Sequence, residues 1–93
     1  MPLPDGLVVL TRDGCHLCEQ MLEELAELER QGRIPTVTVR DVDAEAETAR
    51  RYGLKVPVLL LDGSVICHYT LNSQELLRVV GPRTGPGPAI LPR

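Results

Sequence analysis

Ninety-three residues with 43% hydrophobic content leave room for one core, and a chain this short buries only roughly 60–65% of its unfolded surface, which excludes a multidomain arrangement. Two Tyr, no Phe and no Trp make that core aliphatic, built from Leu, Val and Ile, and argue against large aromatic cofactor boxes. Ten basic residues against thirteen acidic ones, with no basic cluster interleaved with aromatics, argue against a nucleic-acid partner.

No stretch approaches the ~20 apolar residues needed to span a bilayer. The opening Met1-Pro2-Leu3-Pro4-Asp5-Gly6 has neither the basic nor the apolar region of a signal peptide, so the expectation is a cytoplasmic, monomeric protein without membrane contact. Three cysteines do not suit a disulfide-stapled secreted scaffold. In a reducing compartment a close pair points to catalysis or metal binding, which singles out Cys15 and Cys18.

The apolar run Leu7-Val8-Val9-Leu10 reads as a strand covered on both faces, ended by Thr11-Arg12-Asp13-Gly14. From Cys15 to about Arg30, Leu17, Met21, Leu25 and Leu28 recur at helical spacing with Glu residues mostly opposite, predicting an amphipathic helix that stops near Gly32. Thr36 to Arg40 alternates as an edge strand would. Asp43 is placed to cap a short helix from Ala44 to about Tyr52, with Gly53 ending it in the left-handed conformation. Val58–Leu61 and Val65–Cys67 flank Asp62-Gly63, a hairpin signal, and predict an antiparallel pair. Asn72 with Glu75 forms a capping-box pattern, with Leu71 and Leu76 as its staple, ahead of a last helix from Ser73 to Val80.

The order β-α-β-α-β-β-α predicts an α/β domain over residues 1–80. A right-handed crossover makes the first two strands parallel, giving a four-stranded mixed sheet with helices on both faces. Residues 81–93 form a Pro/Gly-rich tail, expected to be mobile or docked through Ile90 and Leu91.

Cys15-His16-Leu17-Cys18 falls directly after a buried strand and opens a helix, the setting of a dithiol redox site. Near the N-cap, Cys15 meets unpaired backbone N–H groups and the positive end of the helix dipole, both of which favour thiolate and make it the expected nucleophile. Cys18, three residues on, is placed to resolve a mixed disulfide formed at Cys15. His16 when protonated, and Arg12 at any pH, stand where positive charge would favour the thiolate, although His16 is equally well read as a solvated first-turn residue. Pro57, at the head of an interior strand, is either an ordinary trans proline or a cis proline that exposes the Val56 backbone for pairing with an extended thiol substrate.

The strand, Gly14-Cys15-His16-Leu17-Cys18-Glu19, the amphipathic helix and Val56-Pro57 ahead of a hairpin together resemble the glutaredoxin-like branch of the thioredoxin superfamily, over about residues 7–80. The resemblance implies a thioredoxin-like fold, Cys15 attacking, Cys18 resolving and Pro57 as a cis-proline facing them. It places Arg12 at the position of a basic residue that helps to hold the glutathione carboxylate. It further implies no bound cofactor, with glutathione as reductant or co-substrate and protein or small-molecule disulfides as partners.

Two departures stand out. His16 and Leu17 replace the usual Pro and aromatic between the cysteines, and Cys67 to Ser73 lacks the Gly-Gly that precedes the γ-glutamyl site. Asn72 and Ser73 read either as a helix cap or as a carboxylate receptor. Arg50, Arg51 and Lys55 read as a solvated helix end or as a basic flank that attracts an acidic thiol. Cys67 reads as a small buried hydrophobe on a central strand, although Cys15, Cys18, Cys67 and His68 have the ligand types of a zinc site. The sequence therefore points first to a thiol–disulfide oxidoreductase. The alternative is a non-catalytic thioredoxin-fold binding module that uses the cysteine pair as a metal site or redox switch.

Overall fold

In a computed structural model, which describes residues 6–81, four strands form one sheet in the order β2-β1-β3-β4. The elements are β1 (Leu7–Thr11), α1 (His16–Arg30), β2 (Val37–Asp41), α2 (Ala46–Tyr52), β3 (Val58–Leu61), β4 (Ser64–His68) and α3 (Ser73–Val80). β1 runs parallel to β2, and β3 and β4 are antiparallel, as the order of elements predicts; the structure adds that β1 and β3 pair antiparallel. The C-terminal tail, including Ile90 and Leu91, lies outside the described residues.

The unbroken apolar run of β1 is explained by its central position, because both of its faces are covered. Leu7 and Val9 pack with Leu59 beneath Met21, Leu25 and Leu28 of α1 and Leu76 of α3. Val8 and Leu10 pack with Val58 and Leu60 against Val42 and Tyr52, on the side of α2. Alternate residues of one strand thus serve two cores. Val37 of β2 packs at the margin of the first core, whereas Val39 is exposed at the sheet edge.

The α1 stripe differs by one residue from the expected one. Cys18, Met21, Leu25 and Leu28 are buried, while Leu17 is 38% exposed. Positions three and four residues before Met21 border the same face, and Cys18 takes the inner place. This small rotation leaves Leu17 at the surface beside the cysteine pair.

Around α2 the expected boundaries shift. Val42–Ala44 forms a separate 3-10 turn, and Glu45, which makes no side-chain cap bond, precedes α2. The two short helices are joined by the Thr48 hydroxyl, which donates to the carbonyls of Val42 at 2.7 Å and Glu45 at 3.0 Å. Asp43 is therefore not the cap of α2. Gly53 is right-handed, with φ −56°, and its small size serves a close approach instead: a Cβ there would lie 2.5 Å from the Ala49 carbonyl oxygen and 3.0 Å from Nη2 of Arg12.

The hairpin turn is as expected from Asp62-Gly63, both left-handed, with φ 50° and 86°, which matches the twist of the flanking strands. A bulge follows, since Leu59 pairs with Cys67 but Leu60 with Val65. β4 forms the outer edge of the sheet, which corrects the expectation of a central strand for Cys67: β1 and β3 hold the middle. At α3 the Asn72 side chain accepts the Glu75 N–H at 3.1 Å, but the Glu75 carboxylate turns to Arg78 rather than back to the cap.

Leu59, fully buried between β1 and β4, has no open side into which its neighbours can collapse. Leu59→Ala is expected to destabilise the protein by about 3 kcal/mol, readable as a shift of the urea midpoint without a change in slope.

Candidate functional site

The chain leaves β1 at Thr11 and turns at Gly14, whose φ of 75° is the left-handed conformation that glycine adopts without cost. The Cys15 N–H donates to the Arg12 carbonyl at 3.2 Å, closing that turn and setting Cys15 as the N-cap of α1. An N-cap side chain accepts one of the otherwise unpaired N–H groups of the first turn. Here the acceptor is sulfur: Sγ of Cys15 takes the Cys18 N–H at 3.1 Å. Cys15 and Cys18 are joined as a disulfide with their Cα atoms 5.1 Å apart. The two differ in access, Cys15 being half-buried and Cys18 only 2% exposed.

The Val56–Pro57 peptide bond is cis. Leu10 of β1 pairs with Val58 of β3, so Pro57 comes opposite Thr11, at the sheet end from which the loop to Cys15 departs. Pro57 is fully buried, and its carbonyl accepts the Tyr69 N–H at 2.9 Å. Val56 lies one step further out, beyond the last paired register, and is half-buried. Tyr69 has a left-handed φ of 70°, donates its hydroxyl to the Leu54 carbonyl at 3.3 Å and stacks edge-on against His68. Nothing in the local sequence announces this role for Tyr69, because the contact depends on where β4 ends.

Residues 6–81 match the Glutaredoxin-like domain (DUF836) family. The chain belongs to this glutaredoxin-like family. It is 34% identical over 73 residues to the uncharacterized protein Rv0508 of Mycobacterium tuberculosis, an alignment covering 73% of this chain and 74% of that one. Among solved structures it resembles protein Ne2328 of Nitrosomonas europaea, determined by NMR, with a TM-score of 0.70 and 33% identity over 85% of this chain and 94% of that one. It also resembles the X-ray structure of protein XcR50 of X. campestris, with a TM-score of 0.63 and 32% identity over 81% and 95% of the two chains. The thioredoxin-like architecture that the family resemblance implied agrees with the likeness to these two solved structures.

In this glutaredoxin-like chain the other predicted site residues are distributed unevenly. Arg12 donates Nε and Nη2 to the two carboxylate oxygens of Asp43, each at 2.8 Å, and Nη1 to the Gly53 carbonyl at 2.8 Å. It thereby ties the loop before Cys15 to the 3-10 turn and to the end of α2. Asp43 and Gly53, which the sequence suggested only as a cap and a helix stop, are both partners of this one guanidinium. The paired hydrogen bonds hold the Asp43 carboxyl below the usual carboxylate range and raise Arg12.

His16 is exposed in the first turn of α1. Arg50 and Arg51 pair with Glu47, and Arg51 also lies over the Tyr52 ring, so both belong to the solvated surface of α2. Lys55 is exposed next to Val56. Cys67 is a free, half-buried thiol whose ionisation burial pushes up. Among the described residues no three His, Cys, Asp or Glu side chains come together as metal ligands, so Cys67 and His68 are not gathered with the cysteine pair. Among those residues, too, no helix is long and apolar enough to cross a membrane.

The Arg12–Asp43 pair has a definite pH signature. A carboxyl more acidic when folded than when unfolded contributes stability above its unfolded value, about 3.9, and loses it as the pH falls through the folded value. Asp43→Asn is expected to lower Tm at pH 7, with the gap to the parent protein closing below about pH 4. A gap that is constant between pH 7 and pH 3 would show that the charge is not what matters.

Proposed function

We propose that the protein is a dithiol thiol–disulfide oxidoreductase that reduces disulfides or glutathione mixed disulfides, with Cys15 as nucleophile and Cys18 as resolving thiol. The observation that carries this reading is the difference between the two sulfurs. Sγ of Cys15 is reachable and accepts a helix N–H, which stabilises a thiolate, while Cys18 is sealed beneath it.

In the reduced protein the Cys15 thiolate attacks one sulfur of a substrate disulfide, and the other leaves as a thiolate that takes up a proton. Cys18, deprotonated, then attacks Sγ of Cys15. The second substrate sulfur departs as a thiol, and the Cys15–Cys18 disulfide forms. Two electrons have passed to the substrate. Two equivalents of glutathione, or one of a dithiol protein, return the pair to the reduced state. Pro57 is buried at the sheet end from which the Cys15 loop departs, and the Val56 backbone, beyond the ladder, offers a short edge against which an extended substrate can align. Arg12 acts through position, bracing the Cys15 loop against α2, and His16 adds positive charge at the mouth when protonated. No bound cofactor is needed for these steps.

Cys15→Ser is expected to abolish turnover of a model disulfide, whereas Cys18→Ser retains attack and accumulates a mixed disulfide on Cys15, detectable by intact mass and peptide mapping. Undiminished activity of Cys15→Ser, or an adduct on Cys18 in the parent protein, would contradict the assignment. Stoichiometric metal retained by the reduced protein would instead favour a binding module.

A further inference from the structure

One stripe of α1 and the segment between β4 and α3 form the two walls of a groove. A cavity of about 190 Å³ lies between Leu17, Met21 and Glu24 on one side and Tyr69, Thr70 and Leu71 on the other. A second, of about 250 Å³, continues along α1 past Glu27 and Leu28 to Ser73. The two share Glu24 and Leu71, so they are successive parts of one depression. From Leu17 to Leu28 a helix rises about 16 Å, the length of about five extended residues.

One end of this groove is lined by Leu17, the residue that precedes Cys18 in the Cys15–Cys18 segment. That end is apolar. Leu17 is 38% exposed and Tyr69 44%, and the Tyr69 hydroxyl bonds to the carbonyl of Leu54, a leucine 92% exposed. Three large apolar side chains left in water on three converging segments mark a contact surface for a macromolecule rather than for a small polar thiol.

The charge of the groove is one-sided. Its described lining includes two carboxylates and no lysine or arginine. Glu27 is occupied by Arg30 and Gln31. Glu24 is exposed and, among the described residues, pairs with no cation.

We infer that this groove selects an extended segment of a partner protein, with apolar residues beside its reactive cysteine and a Lys or Arg three or four residues away, above Glu24. The identity of that segment as a disulfide substrate rests on the redox reading of Cys15. The spacing follows from the rise of about 10 Å between Leu17 and Glu24, which three extended residues cover. Glutathione, a tripeptide with two carboxylates and one ammonium group, is too short to fill the groove and meets Glu24 with the wrong net charge.

The test uses the full chain and two synthetic peptides, identical except for Lys or Glu four residues from a central cysteine. Each is made in two forms. In one the cysteine is replaced by serine, for binding by fluorescence anisotropy, and in the other it is held as a disulfide, for reduction. The Lys peptide is expected to bind about three- to tenfold more tightly than the Glu peptide at low salt, a ratio that falls toward one at about 1 M salt. Glu24→Gln should flatten the preference and Glu24→Lys should reverse it.

Equal binding of the two peptides, or a ratio that ignores the Glu24 variants, overturns the inference. So does displacement of both peptides by S-methylglutathione at lower concentration, which would assign the groove to a small thiol. The serine peptides require no redox chemistry. A charge preference in binding with no reduction of the disulfide peptides would sink the oxidoreductase reading and leave the groove standing, and the opposite pattern would do the reverse.

Discussion

The first turn of α1 is capped by a sulfur atom. A helix N-terminus leaves N–H groups that need an acceptor, and in most helices an oxygen of Ser, Thr, Asp or Asn supplies it. Here Sγ of Cys15 accepts the Cys18 N–H at 3.1 Å, so one hydrogen bond links the two cysteines and fixes which of them faces out. The difference in access between the sulfurs, and with it the proposed order of attack and the proposed side of substrate approach, depends on this cap.

The remainder of the fold holds that turn in place. β1 is buried on both faces and cannot shift its register without exposing one of two cores, so the point at which the chain emerges at Thr11 is fixed. On one side Arg12 ties the emerging loop to Asp43 and Gly53, and on the other Pro57 begins the strand that runs beside β1. A surface ion pair contributes little on its own. Arg12, however, joins three separate segments through one planar group, and the glycine at Gly53 is what allows the approach.

Much of this was legible in the sequence because the relevant signals are local. The β1 run, the α1 periodicity, Asp62-Gly63 and Asn72 each specify a structure within a few residues, and Cys15-x-x-Cys18 at a strand-to-helix junction specifies the site. What escaped depends on distance along the chain. Asp43 and Gly53 looked like a cap and a helix stop because both types favour those places locally, whereas their partner is Arg12, 31 and 41 residues away. The choice between Leu17 and Cys18 as the inner residue turned on a rotation of α1 too small for periodicity to resolve. Tyr69 and Leu54 are joined by a hydrogen bond across 15 residues, which no local pattern encodes.

The most direct test of the central claim is the pH profile of thiol alkylation on the fully reduced protein, with each cysteine followed by peptide mapping. The account predicts that Cys15 is modified first, with a half-maximal rate below the value near 8.5 of a free cysteine. Buried Cys18 should stay protected until denaturant is added, and half-buried Cys67, its thiol held up by burial, should react only at higher pH than Cys15. Modification of Cys18 before Cys15, or a Cys15 profile no different from a free thiol, would contradict it.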